Sequence, residues 1–161
     1  LTNSGSISSV IFTGGADADL LTNTGTITGT LNFGGDSGSD LLQNSGTLSG
    51  VIFTGGADED LLVNTGTVTG TLNFGGDSGN DLLHNTASLA SVIFTGGADA
   101  DLLVNTGTVS GGLNFGGDSG NDLLTNSGSI SSVIFTGCVD WQVNSFSAAG
   151  VSSYFYITSQ I

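Results

Sequence analysis

The residues of this chain best suited to chemistry are its carboxylates, and all of them fall in one recurring corner of the sequence. The 14 Asp and Glu side chains face no Lys or Arg, which gives a formal charge of −14. Twelve of them form six pairs, Asp17/Asp19, Asp36/Asp40, Asp58/Asp60, Asp77/Asp81, Asp99/Asp101 and Asp118/Asp122, joined by Glu59 and Asp140. The second member of each pair stands directly before Leu-Leu. Like charges one β-spacing (~4.8 Å) apart repel by ~1 kcal/mol in bulk water and by ~3–4 kcal/mol at an effective dielectric of about 20. With no cationic side chain to offset this, hard oxygen ligands on loops point to Ca²⁺, which takes about six to eight of them. Two readings of the corner stay open: Ca²⁺ sites, or a solvated acidic edge that keeps a fibre soluble in salt.

The spacing of the pairs is set by an internal repeat. Leu-Leu begins at Leu20, Leu41, Leu61, Leu82, Leu102 and Leu123, so steps of 21 and 20 residues alternate within a 41-residue super-period. A fixed period in this range marks a solenoid. Inside one repeat the hydrophobic period is two, with Ile27, Leu31 and Phe33 on one face and Thr26, Thr28 and Thr30 on the other. Thr, Ile, Val and Phe favour strands, and Asn-(Ser/Thr)-Gly and Gly-Gly punctuate them. The predicted fold class is all-β: a single parallel β-solenoid of about seven regular coils of 20–21 residues over 1–140, closed by a degenerate capping coil over 141–161. Like residues then stack into columns. Asn3, Asn23, Asn44, Asn64, Asn85, Asn105 and Asn126 make a hydrogen-bonding ladder, and Ile7, Ile27, Leu48, Val68, Leu89, Val109 and Ile130 an aliphatic core.

The corner itself resembles the RTX nonapeptide, Gly-Gly-x-Gly-x-Asp-x-(apolar)-x, in Gly14-Gly15-Ala16-Asp17-Ala18-Asp19-Leu20-Leu21, with Asp17 in place of the third Gly. Gly75-Gly76-Asp77-Ser78-Gly79-Asn80-Asp81-Leu82-Leu83 resembles it with one residue inserted. On this alignment the odd corner runs Gly14–Asp19 and the even corner Gly34–Asp40, one residue longer. The resemblance implies Ca²⁺ as the bound cofactor, held by the paired aspartates. The chain departs from it in having one such corner per coil where RTX rolls have a pair.

Hydroxyl side chains recur on the opposite part of each repeat. Thr24, Thr26, Thr28, Thr47, Thr65, Thr67, Thr69, Thr106 and Thr108, interspersed with Ser45 and Ser49, form an array that resembles the Thr-x-Thr lattices of β-solenoid ice-binding proteins. The resemblance implies water ordering on this face, interrupted at Ala87 and Ala90. Val10-Ile11-Phe12 and its copies at 51, 92 and 133 are apolar on both faces. With Ile11 and Ile52 inward, Val10, Phe12, Val51, Phe53, Val92, Phe94, Val133 and Phe135 make an outward ribbon for self-association; the opposite pleat buries Phe12 and exposes Ile11.

Other chemistries find little footing. Without Lys or Arg the chain has nothing to neutralise phosphates, so nucleic acid is not an expected partner, and anionic membranes repel it. His84 stands alone at a variable surface position, Cys138 reads as a small buried hydrophobe, and the Gly-Gly pairs lack a phosphate-loop Lys, so an enzyme is not expected. Leu42-Gln43-Asn44-Ser45-Gly46-Thr47-Leu48-Ser49-Gly50 resembles the repeats of filamentous haemagglutinins and autotransporter passengers, over about residues 1–137. That resemblance implies a right-handed β-helix, extracellular or on the cell surface, in an adhesin or self-assembling filament. Its partners would be further copies, end to end or side by side, and a receptor.

Overall fold

Each repeat folds as a short strand, a turn, a longer strand and a corner. The description rests on a computed structural model and covers residues 1–34, 37–75, 78–116, 119–136 and 155–157. The first coil holds β1 (Thr2–Asn3), β2 (Ser6–Ile7) and β3 (Val10–Thr13); the second, β4 (Leu20–Asn23) and β5 (Thr26–Gly34). The next three carry β6 (Leu41–Asn44) and β7 (Thr47–Thr54), β8 (Leu61–Asn64) and β9 (Thr67–Gly75), then β10 (Leu82–Asn85) and β11 (Ser88–Thr95). The last regular coils carry β12 (Leu102–Asn105) and β13 (Thr108–Gly116), then β14 (Leu123–Asn126) and β15 (Ser129–Thr136), followed by β16 (Phe155–Ile157). No helix occurs among the described residues.

Every strand pairs in parallel with its counterpart one coil away, which is what near-identical repeats dictate. The short strands stack as a seven-stranded sheet, β1-β4-β6-β8-β10-β12-β14. The long ones form a nine-stranded sheet, β16-β15-β13-β11-β9-β7-β5-β2, with β3 also paired to β5. Register is like on like: Leu42↔Leu62, Asn44↔Asn64, Leu48↔Val68 and Phe53↔Phe74. The expected β-solenoid is thus the fold observed.

The core lies between the two sheets. Leu21, Leu42, Leu62, Leu83, Leu103 and Leu124 face inward from the short strands and meet the predicted column from Ile27 to Ile130. The phenylalanines stack face to face along the axis, Phe12–Phe33–Phe53–Phe74–Phe94–Phe115, with centroids 4.8–5.3 Å apart. Beside them runs the Asn ladder, buried throughout. Each Nδ2 donates to the Oδ1 of the next coil at 2.7–2.9 Å, from Asn3→Asn23 to Asn105→Asn126. It also donates to the carbonyl two residues on, as Asn64 does to Gly66, so the turn is fixed by the same amide.

The alternation of 20 and 21 residues arises in a strand, which corrects the sequence alignment of the corners. Gly34 pairs with Thr13 and Thr54, and Gly75 with Thr54 and Thr95, so these glycines end strands. The stretch from there to the aspartate before Leu-Leu is then six residues long in both variants, 14–19 and 35–40. The extra residue sits inside β5, β9 and β13, where the ladder shifts register between Ile27 and Thr30 and between Leu48 and Val51. Ile27 and Leu31 are four apart and Leu48 and Val51 three apart, yet all four are buried. A β-bulge absorbs the difference in parity.

The bulge also decides the pleat of Val-Ile-Phe, against the expected outward ribbon. Val51, Phe53, Val92, Phe94 and Val133 are buried, and Phe12 packs on the core. The side chains of Val10 and Phe135 lie outside the described residues. Ile11, Ile52 and Ile93 face solvent instead, at 80%, 38% and 38% exposure. In register with them stand Asn32, Asn73 and Asn114, so the outward column alternates Ile and Asn.

Candidate functional site

Strand parity explains where the acidic corner goes. Asp40, Leu42 and Asn44 share a parity, and all are buried; Leu41 and Gln43 have the other and face out. From Asp40 onward the aspartate before Leu-Leu therefore points inward, immediately ahead of the short strand. Asp40, Asp60, Asp81, Asp101 and Asp122 are each 5% exposed or less. Their Oδ1 atoms accept the backbone N–H of the aspartate one coil earlier: Asp19→Asp40 and Asp40→Asp60 at 2.8 Å, Asp60→Asp81 and Asp81→Asp101 at 2.9 Å, and Asp101→Asp122 at 3.1 Å. The carboxylates are thus rungs of a ladder running along the axis.

The other oxygen of four of these carboxyls is sealed in. Oδ2 of Asp40, Asp60, Asp81 and Asp101 is buried without a hydrogen-bond partner. In Asp60 and Asp101, as in Asp19, this oxygen lies against glycine, for a Cβ built on Gly55, Gly96 or Gly14 would fall on it. The first glycine of the corner therefore makes room for the carboxyl. Burying an ionised group without a counter-charge is costly, and the group takes up a proton instead. Burial pushes Asp60 and Asp101 up to about 6 and Asp81 up to about 7, against the pull of the donated N–H and with the neighbouring carboxylates adding to the rise. Burial raises Asp40 and Asp122 too. In mildly acidic solution the repulsion inferred from the sequence is relieved in this way along the inner column; around neutral pH Asp60 and Asp101 ionise and it returns.

The outer carboxylates do different work. Gly38 and Gly79 turn the even corners with φ of 95° and 107°, and their N–H groups donate to Oδ2 of Asp58 and Asp99 at 2.8 and 2.9 Å. Asp58 and Asp99 thereby clamp the corner of the preceding coil. Asp17 is exposed, Asp19 half-buried, and Asp36, Asp77 and Asp118 lie outside the described residues. Among the described residues no group of three or more His, Cys, Asp or Glu is gathered as a metal cage. The inner aspartates in particular do not fit one, because one oxygen holds a backbone N–H and the other is closed off.

The hydroxyl residues divide into three columns. Thr24, Thr65 and Thr106 are turn residues, and Thr24 and Thr65 donate to the carbonyls of Asn3 and Asn44 at 3.2 and 3.3 Å. Ser6, Thr26, Thr47, Thr67, Ser88, Thr108 and Ser129 make an unbroken column in strand register. Thr28 and Thr69 stand in the next outward column with Ser49, Ser110 and Ser131, interrupted by Ala90.

One surface went unread in the sequence: the first leucine of every Leu-Leu. Leu20, Leu41, Leu61, Leu82, Leu102 and Leu123 pair in register on the outer face of the seven-stranded sheet. Two adjacent leucines in a strand four residues long put one on each face, so the signal was present. Beside this column run Thr22, Gln43, Val63, His84, Val104 and Thr125, also outward. No protein-family model, curated protein or solved structure matches the chain.

Proposed function

We propose that the chain is a structural β-solenoid acting outside the cell, as a segment of a surface adhesin or of a self-assembling filament. The observation behind this reading is the axial continuity of the Asn ladder, in which each coil meets the buried hydrogen-bonding needs of the next in the same way. Such a device is indifferent to coil number, as a rod or spacer requires. The outward Ile11, Ile52 and Ile93 offer a periodic apolar contact for lateral association. Electron microscopy of the purified chain tests the filament: rods or bundles are expected on concentration, and dispersed monomers at every concentration would sink it. Calcium belongs to the proposal through the outer carboxylates of the corner. A melt with and without chelator tests it, and an unshifted transition leaves the solvated acidic edge as the better account.

A second reading, ice binding, is favoured by the unbroken hydroxyl column from Ser6 to Ser129 and its neighbour through Thr28 and Thr69. Thermal hysteresis lost in Thr26→Tyr and Thr67→Tyr would support it. Absence of hysteresis in the unmodified chain would remove it.

A further inference from the structure

The outward leucines adjoin the acidic corner. From Leu20 to Leu123 there are five coil steps, so at about 4.8 Å each the stripe is ~24 Å long. Midway along it a groove of about 390 Å³ is lined by Leu41, Leu61, Leu82 and Glu59, with the buried Asp40 and Asp60 in its wall. Glu59 is the exposed carboxylate of that lining, and Asp17, Asp58 and Asp99 are exposed on the acidic corners that accompany the stripe. The stripe is about two residues wide, or ~160 Å² in all, well short of the ~800 Å² per partner of a stable dimer. A second copy docked by this same face is also disfavoured, since it would set two acidic edges together with no positive side chain between them.

We propose that the outward leucine column and the acidic rim beside it form one docking groove for an amphipathic helix that carries Lys or Arg alongside an aliphatic stripe. Charge selects the cation, because every charged side chain along the rim is a carboxylate. Shape selects the helix. An extended peptide draws its affinity from unpaired strand edges, whereas this is the face of a sheet whose backbone is already paired. A helix satisfies its own backbone, and about 16 residues at 1.5 Å each match the length of the stripe. This inference is independent of the filament and ice readings.

The test uses the whole chain and an 18-residue Leu/Lys peptide patterned to place all leucines on one helical face. Controls are a scrambled peptide of the same composition and a Leu/Glu peptide with the same pattern. His84 sits on the groove face in register with Val63 and Val104, so its imidazole resonances report occupancy in the unmodified protein. Saturable 1:1 binding with a His84 shift is expected, about tenfold or more weaker for the scrambled peptide and for Leu61→Thr/Leu82→Thr. Glu59→Gln should weaken binding a few-fold and flatten its salt dependence. Equal binding of the scrambled peptide, or saturation without a His84 shift, would show only diffuse attraction to an acidic chain and overturn the proposal. Equal binding of the Leu/Glu peptide, or preferential uptake onto zwitterionic phosphatidylcholine vesicles, would overturn it in favour of a purely apolar face.

Discussion

The buried aspartate ladder should make the fold more stable in mild acid than in base, and Asp81→Asn isolates the effect. Asp81 binds its proton more tightly folded, at about 7, than at the ordinary 3.8. The stability it contributes is therefore complete below about pH 4 and is lost as pH rises through about 7. Between pH 5 and pH 8 the loss integrates to roughly 2–3 kcal/mol for this one group. Asparagine keeps an Oδ1 for the Asp60 N–H, which now bonds at 2.9 Å, and carries no charge at either pH. The neighbouring Asn ladder shows that a buried amide column is sterically compatible with this stacking. Relative to the unmodified chain, Asp81→Asn should gain ~2–3 kcal/mol more at pH 8 than at pH 5. For a chain of this size that is roughly 5–10 °C of added Tm, read by circular dichroism in chelator-treated buffer. An equal change in Tm at both pH values, or a larger gain at pH 5, would refute the assignment of a proton to this column.

Three further outcomes follow from the packing. Asn64→Ala takes the acceptor from Asn44 Nδ2 and leaves Gly66 O without its amide, so it should cost about 2–4 kcal/mol in denaturant unfolding, more than any exposed Thr→Ala change. Gly55→Ala should destabilise by more than ~1 kcal/mol because its Cβ meets the Asp60 carboxyl, and Asp60→Ala in the same chain should restore most of the loss, a coupling read by a double-mutant cycle. Val51→Ser should cost about 2–4 kcal/mol, while Ile52→Ser, one residue on and solvent-facing, should stay within ~0.5 kcal/mol; equal costs would contradict the pleat described above.

The parts of this architecture that depend on like stacking on like were legible in the sequence. Asn3 to Asn126 and Ile7 to Ile130 occupy the columns that their spacing implies, because a parallel stack of equal coils has one in-register solution. What failed was parity. Aligning the Gly-Gly pairs put the extra residue of the long variant in the corner, since motif identity says nothing about which glycine ends a strand. The irregularity lies instead amid Thr, Ser and Gly, residues with no turn signature: alternation runs unbroken through β5, and the break between Leu48 and Val51 in the shorter strand turns Phe53 in and Ile52 out. Counting parity back from the buried Asn44 would have turned Asp40 inward and Leu41 outward. The attraction of an acidic motif to solvent outweighed that count. Trp141, Cys138 and most of the capping segment lie outside the described residues, and Phe155–Ile157 pairs with β15 as one more parallel strand.

The bulge gives the molecule two different grammars of length. The interior repeats with every coil, so its Phe and Asn columns would accept one coil more or one fewer without a change of partner. The exterior repeats only with every second coil, as Ile and Asn alternate down the long sheet and Thr and Gly alternate beside them. Deleting the 20 residues between Leu41 and Leu61 would leave the hydrophobic seam intact while setting Asn32 on Asn73. The duplication unit that preserves both is the 41-residue pair, so lineages of this chain should grow and shrink by doublets even though single coils would fold.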